Sequence, residues 1–296
     1  MNTAVEREPP TAATATGHTL VTTVVALSAF AANSLLCRAA LAGGHIDAAN
    51  FTTIRIASGA LTLAVLARTR GRAAPSSSFA WGSAAALFAY AILFSFAYVH
   101  VAVGVGALLA FGAVQITMIG AGLRAGERLR VAEWTGLAIS IAGLVVLTQP
   151  GLERPDGIGS LLMLGAGAAW GIISLRGRRG GDPIAVNAAS FARAIPMTIV
   201  VTLVTWFADR SYISTSGILL AVCSGGITSG IGYAVWYAAL KGLSATRAAI
   251  VQLCVPPLAA TAGVIVLGED FSSRLVIASA LVLGGIALAI TAPRRG

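Results

Sequence analysis

Residues 19–42, TLVTTVVALSAFAANSLLCRAALA, form an apolar run of the length that spans a lipid bilayer. A membrane-crossing helix needs about 20 predominantly apolar residues. After the short segment GGHID at 43–47, a second run of similar length follows at 48–68. This alternation of long apolar runs and short polar gaps continues along the chain. It predicts an all-α integral membrane protein.

The composition supports the same fold class. Of the 296 residues, 57% are hydrophobic and 10% are charged, with a mean hydropathy of +0.85, which leaves too little polar surface for a water-soluble globule. The glycine pairs Gly167/Gly171 and Gly226/Gly230 have the spacing of close helix contacts in lipid. We predict ten transmembrane helices, at residues 19–42, 48–68, 79–99, 104–124, 131–149, 157–176, 183–207, 215–239, 244–267 and 272–292.

Lys and Arg are concentrated in alternate gaps between the predicted helices. Cytoplasmic loops near helix ends carry an excess of these residues. With the amino terminus inside, 14 of the 20 basic residues fall on the cytoplasmic side, three in outer loops and three within helices. We therefore expect a multi-pass protein of the cell (inner) membrane, with cytoplasmic tails at 1–18 and 293–296. Because the net charge of +9 lies in short loops, nucleic acid is not an expected partner.

The two halves of the chain share a register. Arg38 and Arg55 are 17 residues apart, as are Arg176 and Arg193, and adding 138 carries the first pair onto the second. A unit of five helices must enter the membrane upside down when it is repeated, so corresponding loops should differ in charge. The loop at 43–47 has no Lys or Arg, whereas RGRRGGD at 176–182 has three Arg. We predict a 5+5 inverted repeat, with units at 19–150 and 151–292.

Three longer stretches resemble one known family. They are GYAVWYAALKGLSATRAAIVQLCVPPLAATAGVIVLGEDF at 232–271, AGAAWGIISLR at 166–176, and GVGALLAFGAVQITMIGAGLRAGERLRVAEWTGLAISIAGLVVL at 104–147. Together they resemble the EamA-type permeases of the drug/metabolite transporter superfamily, nearest to the YddG-like amino acid exporters. Gln115 departs from the pattern, because it stands near the position where many relatives, and this chain's own second copy at Pro256, have proline; a kink in predicted helix 4 is therefore not expected from the sequence.

The resemblance implies a secondary transporter that exports small metabolites, with amino acids as the leading class, by alternating access. It implies a central cavity lined chiefly by predicted helices 1, 3, 4, 6, 8 and 9. Nucleosides, sugars or drugs are the alternative substrates, and a channel-like membrane protein is the alternative mechanism. The expected partners are the lipid bilayer and a small-molecule substrate, and we expect a monomer while leaving the oligomeric state open.

Acidic residues fall at the ends of the predicted helices, in the loops or in the amino-terminal tail. Exporters of lipophilic cations commonly use an intramembrane carboxylate that exchanges a proton for substrate. Such an antiporter is therefore disfavoured, and transport that is uncoupled, or coupled through a group other than a carboxylate, is favoured.

Aromatic side chains form two faces at helical spacing. Predicted helix 3 carries Tyr90, Phe94 and Tyr98 at intervals of four, and predicted helix 8 carries a face made of Tyr233, Trp236 and Tyr237. We predict that both faces line the substrate site, because aromatic rings offer amphipathic contact surface. An aromatic belt at the membrane interface is the alternative, especially for Tyr98. The family resemblance adds Trp170.

Polar side chains in the apolar runs complete the predicted site. Asn33, Gln115 and Gln252 are suited to the polar ends of a zwitterion, with hydrogen bonding between helices as the alternative. His100 could titrate near neutral pH beside a pathway, or face headgroups or an outer loop. For the repeated Arg55 and Arg193 we favour structural pairing with helix ends or carbonyls over contact with a substrate carboxylate.

Other classes of function lack sequence support. The chain has no nucleotide-binding Gly-Lys-Ser/Thr loop, no HExxH sequence and no hydrolase elbow, so ATP-driven transport by this chain alone and standard hydrolytic chemistry are not expected. The cysteines lack metal-ligand spacing. Three histidines and scattered acids make a membrane-embedded lipid enzyme a weak alternative. We therefore predict no enzymatic activity, no catalytic residue, no metal and no cofactor.

Overall fold

The computed structural model describes residues 12–41, 43–71, 79–100, 103–148, 156–178, 182–267 and 273–291. These residues form twelve α-helices, one π-helical segment at Ser224–Ile231 and an isolated antiparallel bridge between Ile46 and Ile213. The helices are α1 (Ala12–Leu41), α2 (Ala48–Thr69), α3 (Phe79–His100), α4 (Val103–Arg124), α5 (Val131–Thr148), α6 (Gly157–Gly177), α7 (Pro183–Phe207), α8 (Thr215–Cys223), α9 (Gly232–Leu240), α10 (Ala245–Gln252), α11 (Val255–Leu267) and α12 (Ser273–Thr291).

The predicted membrane class is confirmed. Within the described residues, seven helical segments are long and apolar enough to cross a bilayer, and three shorter apolar helices accompany them at Leu109–Arg124, Val131–Val146 and Val276–Thr291. The protein is therefore an all-α, multi-pass membrane protein.

Three helices differ from the sequence prediction. Helix α1 begins at Ala12 rather than at residue 19, so residues 12–18 of the predicted tail are helical. Predicted helix 8 consists of α8, the π-helical segment and α9, and predicted helix 9 is divided into α10 and α11. The break after Gln252 has a physical cause, because the ring of Pro256 clashes with the carbonyl of the residue four positions earlier.

Acidic and hydroxyl side chains begin several helices. Asp47 Oδ1 accepts hydrogen bonds from the amides of Ala49 and Asn50, each 3.0 Å long. Asp156 caps α6, and Asp182 caps α7. Such caps satisfy amides that have no partner within the helix. The capping role explains why these carboxylates occur at the helix ends.

Helices of the first half pack directly on helices of the second half. Helix α2 packs on α7, α5 on α12, α3 and α4 on α6, and α1 on α9. Glycines bring several of these backbones together. A side chain at Gly167 would meet the carbonyl oxygen of Ala110, and one at Gly226 would lie 3.0 Å from Thr62 Oγ1. The predicted close contacts at these two glycines are confirmed.

Candidate substrate site

Five aromatic rings form a cluster where α1, α3, α6 and α9 meet. Trp170 lies at its centre, with ring centroids 5.0 Å from Phe30, 5.0 Å from Tyr90 and 4.8 Å from Tyr233. Trp236 joins through Phe30, at 5.7 Å. The fold thus brings together predicted aromatic residues from α3, α6 and α9. Phe30 is a member that the sequence analysis missed, because a single Phe in an apolar run carries no periodic signal.

The other predicted aromatics extend away from this central cluster. Phe94 and Tyr98 continue the face of Tyr90 along α3, with successive centroid distances of 5.4 and 4.8 Å. Tyr237 is buried and directs its hydroxyl to the carbonyl of Ile173, 3.3 Å away. Trp236 is also fully buried, and its Nε1 donates to Ser174 Oγ at 3.1 Å. Lining of a substrate path by these residues stays a prediction.

The amides form hydrogen bonds between helices. Asn33 Oδ1 accepts from Ser224 Oγ at 2.7 Å and from Thr228 Oγ1 at 3.1 Å. Gln115 Nε2 donates to the carbonyl of Ala249 at 2.8 Å, and α4 runs through Gln115 as one continuous helix. These contacts match the alternative role of interhelical hydrogen bonding, while a substrate role for both side chains stays a prediction.

Gln252 is connected to the aromatic cluster itself. Its Oε1 accepts a hydrogen bond of 2.5 Å from Trp170 Nε1, and its Nε2 donates to the carbonyl of Ala248 at 3.0 Å. Gln252 is the last residue of α10, and this hydrogen bond connects its amide to α6. The hydrogen bond fixes the orientation of the central indole.

His100 lies apart from the cluster. It is half exposed at the end of α3, and its Nδ1 is 3.6 Å from Asp156 Oδ2. Ten residues of helix separate it from Tyr90, a rise of about 15 Å. The structure therefore places this predicted site residue at the edge of the helical bundle, where the loop alternative applies.

Arg55 is not among the predicted site residues, but it contacts the aromatic cluster. Its side chain is 1% exposed, its Nε donates to Ser229 Oγ at 2.9 Å, and its Nη2 donates to Tyr233 Oη at 2.7 Å. Its guanidinium carbon lies 5.5 Å from the centroid of the Tyr90 ring. Arg193, its counterpart in the predicted repeat, is half-buried and donates to the carbonyl of Ala189 on its own helix at 3.2 Å. Equivalent positions in the predicted repeat favoured the same role for both arginines, whereas the structure gives them different surroundings.

Comparison with known proteins shows similarity to one family of transporters. The model of the EamA-like transporter family matches residues 157–291. An uncharacterized protein of Pseudomonas aeruginosa is 51% identical over 279 residues, which cover 94% of this chain and 96% of that protein. The uncharacterized transporter YwfM of Bacillus subtilis is 29% identical over 64% of this chain and 65% of its own length. Residues 157–291 thus match an EamA-like transporter domain, and the chain is accordingly a membrane transporter and not an enzyme.

A solved structure shares the fold of this EamA-like transporter. A crystal structure superposes on 92% of this chain and on 99% of its own chain, with a TM-score of 0.78 and 22% sequence identity. The likeness extends across both halves of the chain, including residues that precede the segment matched by the family model. The fold around the aromatic cluster is therefore shared with an experimental structure.

A network of polar contacts joins the α4–α5 loop to the start of α10. Glu127 accepts hydrogen bonds from the amides of Ala245 and Thr246, at 2.9 and 3.1 Å, and from Thr246 Oγ1 at 2.8 Å. Arg178 lies 3.7 Å away. Partial burial alone would raise the pKa of the Glu127 carboxyl, but these hydrogen bonds and the nearby Arg178 hold that pKa below its ordinary value. Glu127 therefore caps α10 from the opposite half of the chain.

Replacing Glu127 with glutamine is expected to lower the thermal unfolding midpoint at neutral pH, because a neutral amide accepts weaker hydrogen bonds than a carboxylate. A carboxyl with a lowered folded-state pKa stabilises the fold above its unfolded pKa, about 4.3 for Glu. That stabilisation is lost as the pH falls through the lower, folded-state pKa. In detergent, the difference in midpoint between wild type and Glu127→Gln should be largest near neutral pH and shrink in acid.

Asp209→Asn is the matched control for this measurement. Asp209 is exposed and has a φ of 53°, a conformation that asparagine also tolerates. We expect its difference from wild type to be small at every pH. A Glu127→Gln difference that stays constant from neutral to acid pH would contradict the proposed role of the charge.

Proposed function

We propose that this EamA-like transporter is a secondary exporter of small metabolites, with amino acids as the leading class, that works by alternating access. Its two units are the inverted five-helix repeats at 19–150 and 151–292, and both termini are cytoplasmic in the inner membrane. The observation that carries the proposal is the aromatic cluster, which takes Phe30 and Tyr90 from one unit and Trp170, Tyr233 and Trp236 from the other. Transporters built from inverted repeats bind substrate near the midplane where the repeats meet.

The contact between α5 and α12 supports the inverted repeat. In the sequence, adding 142 to 127 and 143 gives 269 and 285, which pairs Glu127 with Glu269 and Gly143 with Gly285. The same offset pairs Ser140 with Val282, and Ser140 Oγ donates directly to the Val282 carbonyl at 3.2 Å. Ser140 and Val282, which the offset makes equivalent, therefore meet where a twofold axis relating the two proposed units would lie.

Two close contacts between α5 and α12, one on either side of Ser140, are related by the same offset of 142. A side chain at Gly136 would meet the carbonyl of Gly285, and one at Gly143 would lie 2.9 Å from the carbonyl of Ala278. The offset of 142 carries Gly136 to Ala278 and Gly143 to Gly285, so it exchanges one contact with the other. Pairing of α2 with α7 and of α5 with α12 also fits an exchange of the two units.

The chemistry of the cluster favours a zwitterionic or polar substrate over a lipophilic cation. Arg55 supplies a buried positive charge, and the aromatic faces suit an organic body or an ammonium group. Among the described carboxylates, Asp47, Asp156 and Asp182 cap helix ends, Glu127 lies in the α4–α5 loop, Glu133 lies in the first turn of α5, and Asp209 lies just after α7. Transport that does not depend on an intramembrane carboxylate fits this distribution.

Reconstituted protein is expected to accelerate efflux of amino acids from preloaded liposomes. The vesicles are loaded with radiolabelled amino acids and, separately, with nucleosides, and efflux is measured with and without a proton gradient. Saturable counterflow of an amino acid, without accumulation when the gradient is imposed, is the expected result. Failure to move any member of either class would refute the substrate assignment, and ohmic conductance would favour a channel.

A further inference from the structure

The guanidinium of Arg55 is a buried cation without a carboxylate partner among the described residues. Its side chain is 1% exposed. The described ion pairs, His100 with Asp156 and Arg178 with Glu127, are both elsewhere. A buried charge that lacks a counter-ion is strongly unfavourable. In a transporter, such a charge is explained if an anionic group occupies the site during part of the transport cycle.

One nitrogen of this guanidinium is unsatisfied. Nε is bonded to Ser229 and Nη2 to Tyr233, but Nη1 is buried with no hydrogen-bond partner in the described structure. Buried donors in native proteins almost always have partners. The unpartnered Nη1 belongs to a group that contacts both Tyr90 and Tyr233, two members of the aromatic cluster. The missing acceptor is therefore expected at the substrate site.

The surrounding fold holds the guanidinium in one orientation. Ser229 and Tyr233 are four residues apart, at the junction of the π-helical segment with α9, and they bind two different nitrogens. Tyr90 on α3 lies below the guanidinium carbon. A guanidinium held in this way can offer its remaining N–H groups to a carboxylate without first losing side-chain freedom.

We propose that Arg55 binds the carboxylate of the transported substrate, which makes this protein selective for metabolites bearing a single carboxylate. The inference rests on the proposed export function. The aromatic cluster then contacts the organic part of the substrate, and the charge of Arg55 is balanced by one negative charge. A phosphate dianion carries two negative charges, so the single positive charge of Arg55 would leave one of them unbalanced. Arg193, which donates to its own helix, does not share this role.

The decisive experiment compares amino acids with their amides. Counterflow of leucine, phenylalanine and threonine in proteoliposomes is measured against leucinamide, phenylalaninamide and threoninamide. Wild type should transport at least one of the acids better than its amide by roughly tenfold to a hundredfold, the ratio expected for a charge-assisted hydrogen bond. In Arg55→Gln this preference should be lost, mainly because transport of the acid becomes slower. Arg193→Gln, the matched control, should keep it.

Several outcomes would overturn the proposal. Equal transport of acids and amides by wild type would do so, as would a full acid preference in Arg55→Gln. If Arg55→Gln does not fold, Arg55→Lys keeps the charge but loses the fork of donors, and it should show a reduced acid preference; an unchanged preference overturns the proposal.

A binding measurement separates this inference from the proposed function. Each acid and its amide are added to purified wild type in detergent, and the thermal unfolding midpoint is recorded. A higher midpoint with an acid than with its amide supports the carboxylate site even if no solute is transported, in which case only the export function fails. Equal midpoints for every pair, with no acid preference in transport, overturn the site.

Discussion

Replacing Gly225 with alanine is expected to lower the thermal unfolding midpoint sharply and to reduce the yield of monodisperse protein. Gly225 lies in the π-helical segment, where it packs against α2. A Cβ atom there would overlap the carbonyl oxygen of Arg55 and the hydroxyl of Ser58, and it would lie 2.7 Å from the carbonyl carbon of Arg55. Because the obstacle is mainly backbone, the helices must separate. Overpacking of this kind typically costs about 1–3 kcal/mol, and a backbone clash lies toward the upper end.

Gly120→Ala is the matched control, because a Cβ atom at Gly120 would have no neighbour within 4 Å. Both variants are purified in the same detergent and compared by size-exclusion profile and thermal midpoint. Gly120→Ala should behave like wild type or be slightly more stable, since alanine has the higher helix propensity. Similar midpoints for the two variants would contradict the close approach of the π-helical segment to α2.

The π-helical segment links this packing to the substrate site. It brings Ser229 and, one turn later, Tyr233 to the guanidinium of Arg55. Ser224 and Thr228, in the same segment, donate to Asn33 on α1. One irregular segment thus joins α1 and α2 to the aromatic cluster. π-Helical turns are rare and occur frequently at functional sites.

The helices were predictable from the sequence because the lipid imposes a strong length requirement. The predicted bounds of α2, at 48–68, and of α7, at 183–207, differ from the structure by at most one residue. The π-helical segment was not predictable in this way, since one wider turn leaves an apolar run continuous. The division between α10 and α11 had a visible signal in Pro256, but proline predicts a kink or a break without distinguishing them.

The aromatic part of the site was partly predictable, and its charge was not. Intervals of three and four residues identified the faces that contain Tyr90 and Tyr233. The predicted repeat, in contrast, favoured the same structural role for Arg55 and Arg193. The proposed repeat makes their helices equivalent, but Arg55 lies beside Tyr90 and Tyr233, whereas the guanidinium carbon of Arg193 lies 5.8 Å from the centroid of Trp81, an exposed ring. A repeat preserves backbone position, while the side chains contributed by other helices determine the chemistry.

Replacing Trp170 with alanine is expected to abolish transport. The indole is the ring that contacts Phe30, Tyr90 and Tyr233 together, so its loss opens a cavity at the centre of the cluster. Truncating a buried Trp to Ala typically costs about 3–5 kcal/mol of stability. The more informative variant is Trp170→Phe, which retains an aromatic ring but removes the N–H that binds Gln252 Oε1.

The Trp170→Phe variant separates a role in transport from a role in folding. Gln252 is fully buried, so its Oε1 would lose a partner inside the bundle and the ring would lose its fixed orientation. We expect amino acid counterflow to fall by about tenfold while the protein still purifies as a folded species. Trp134→Phe on α5, where the ring is 49% exposed, should transport as wild type does. If both variants transport equally well, Trp170 is a packing residue and the aromatic cluster is not the substrate site.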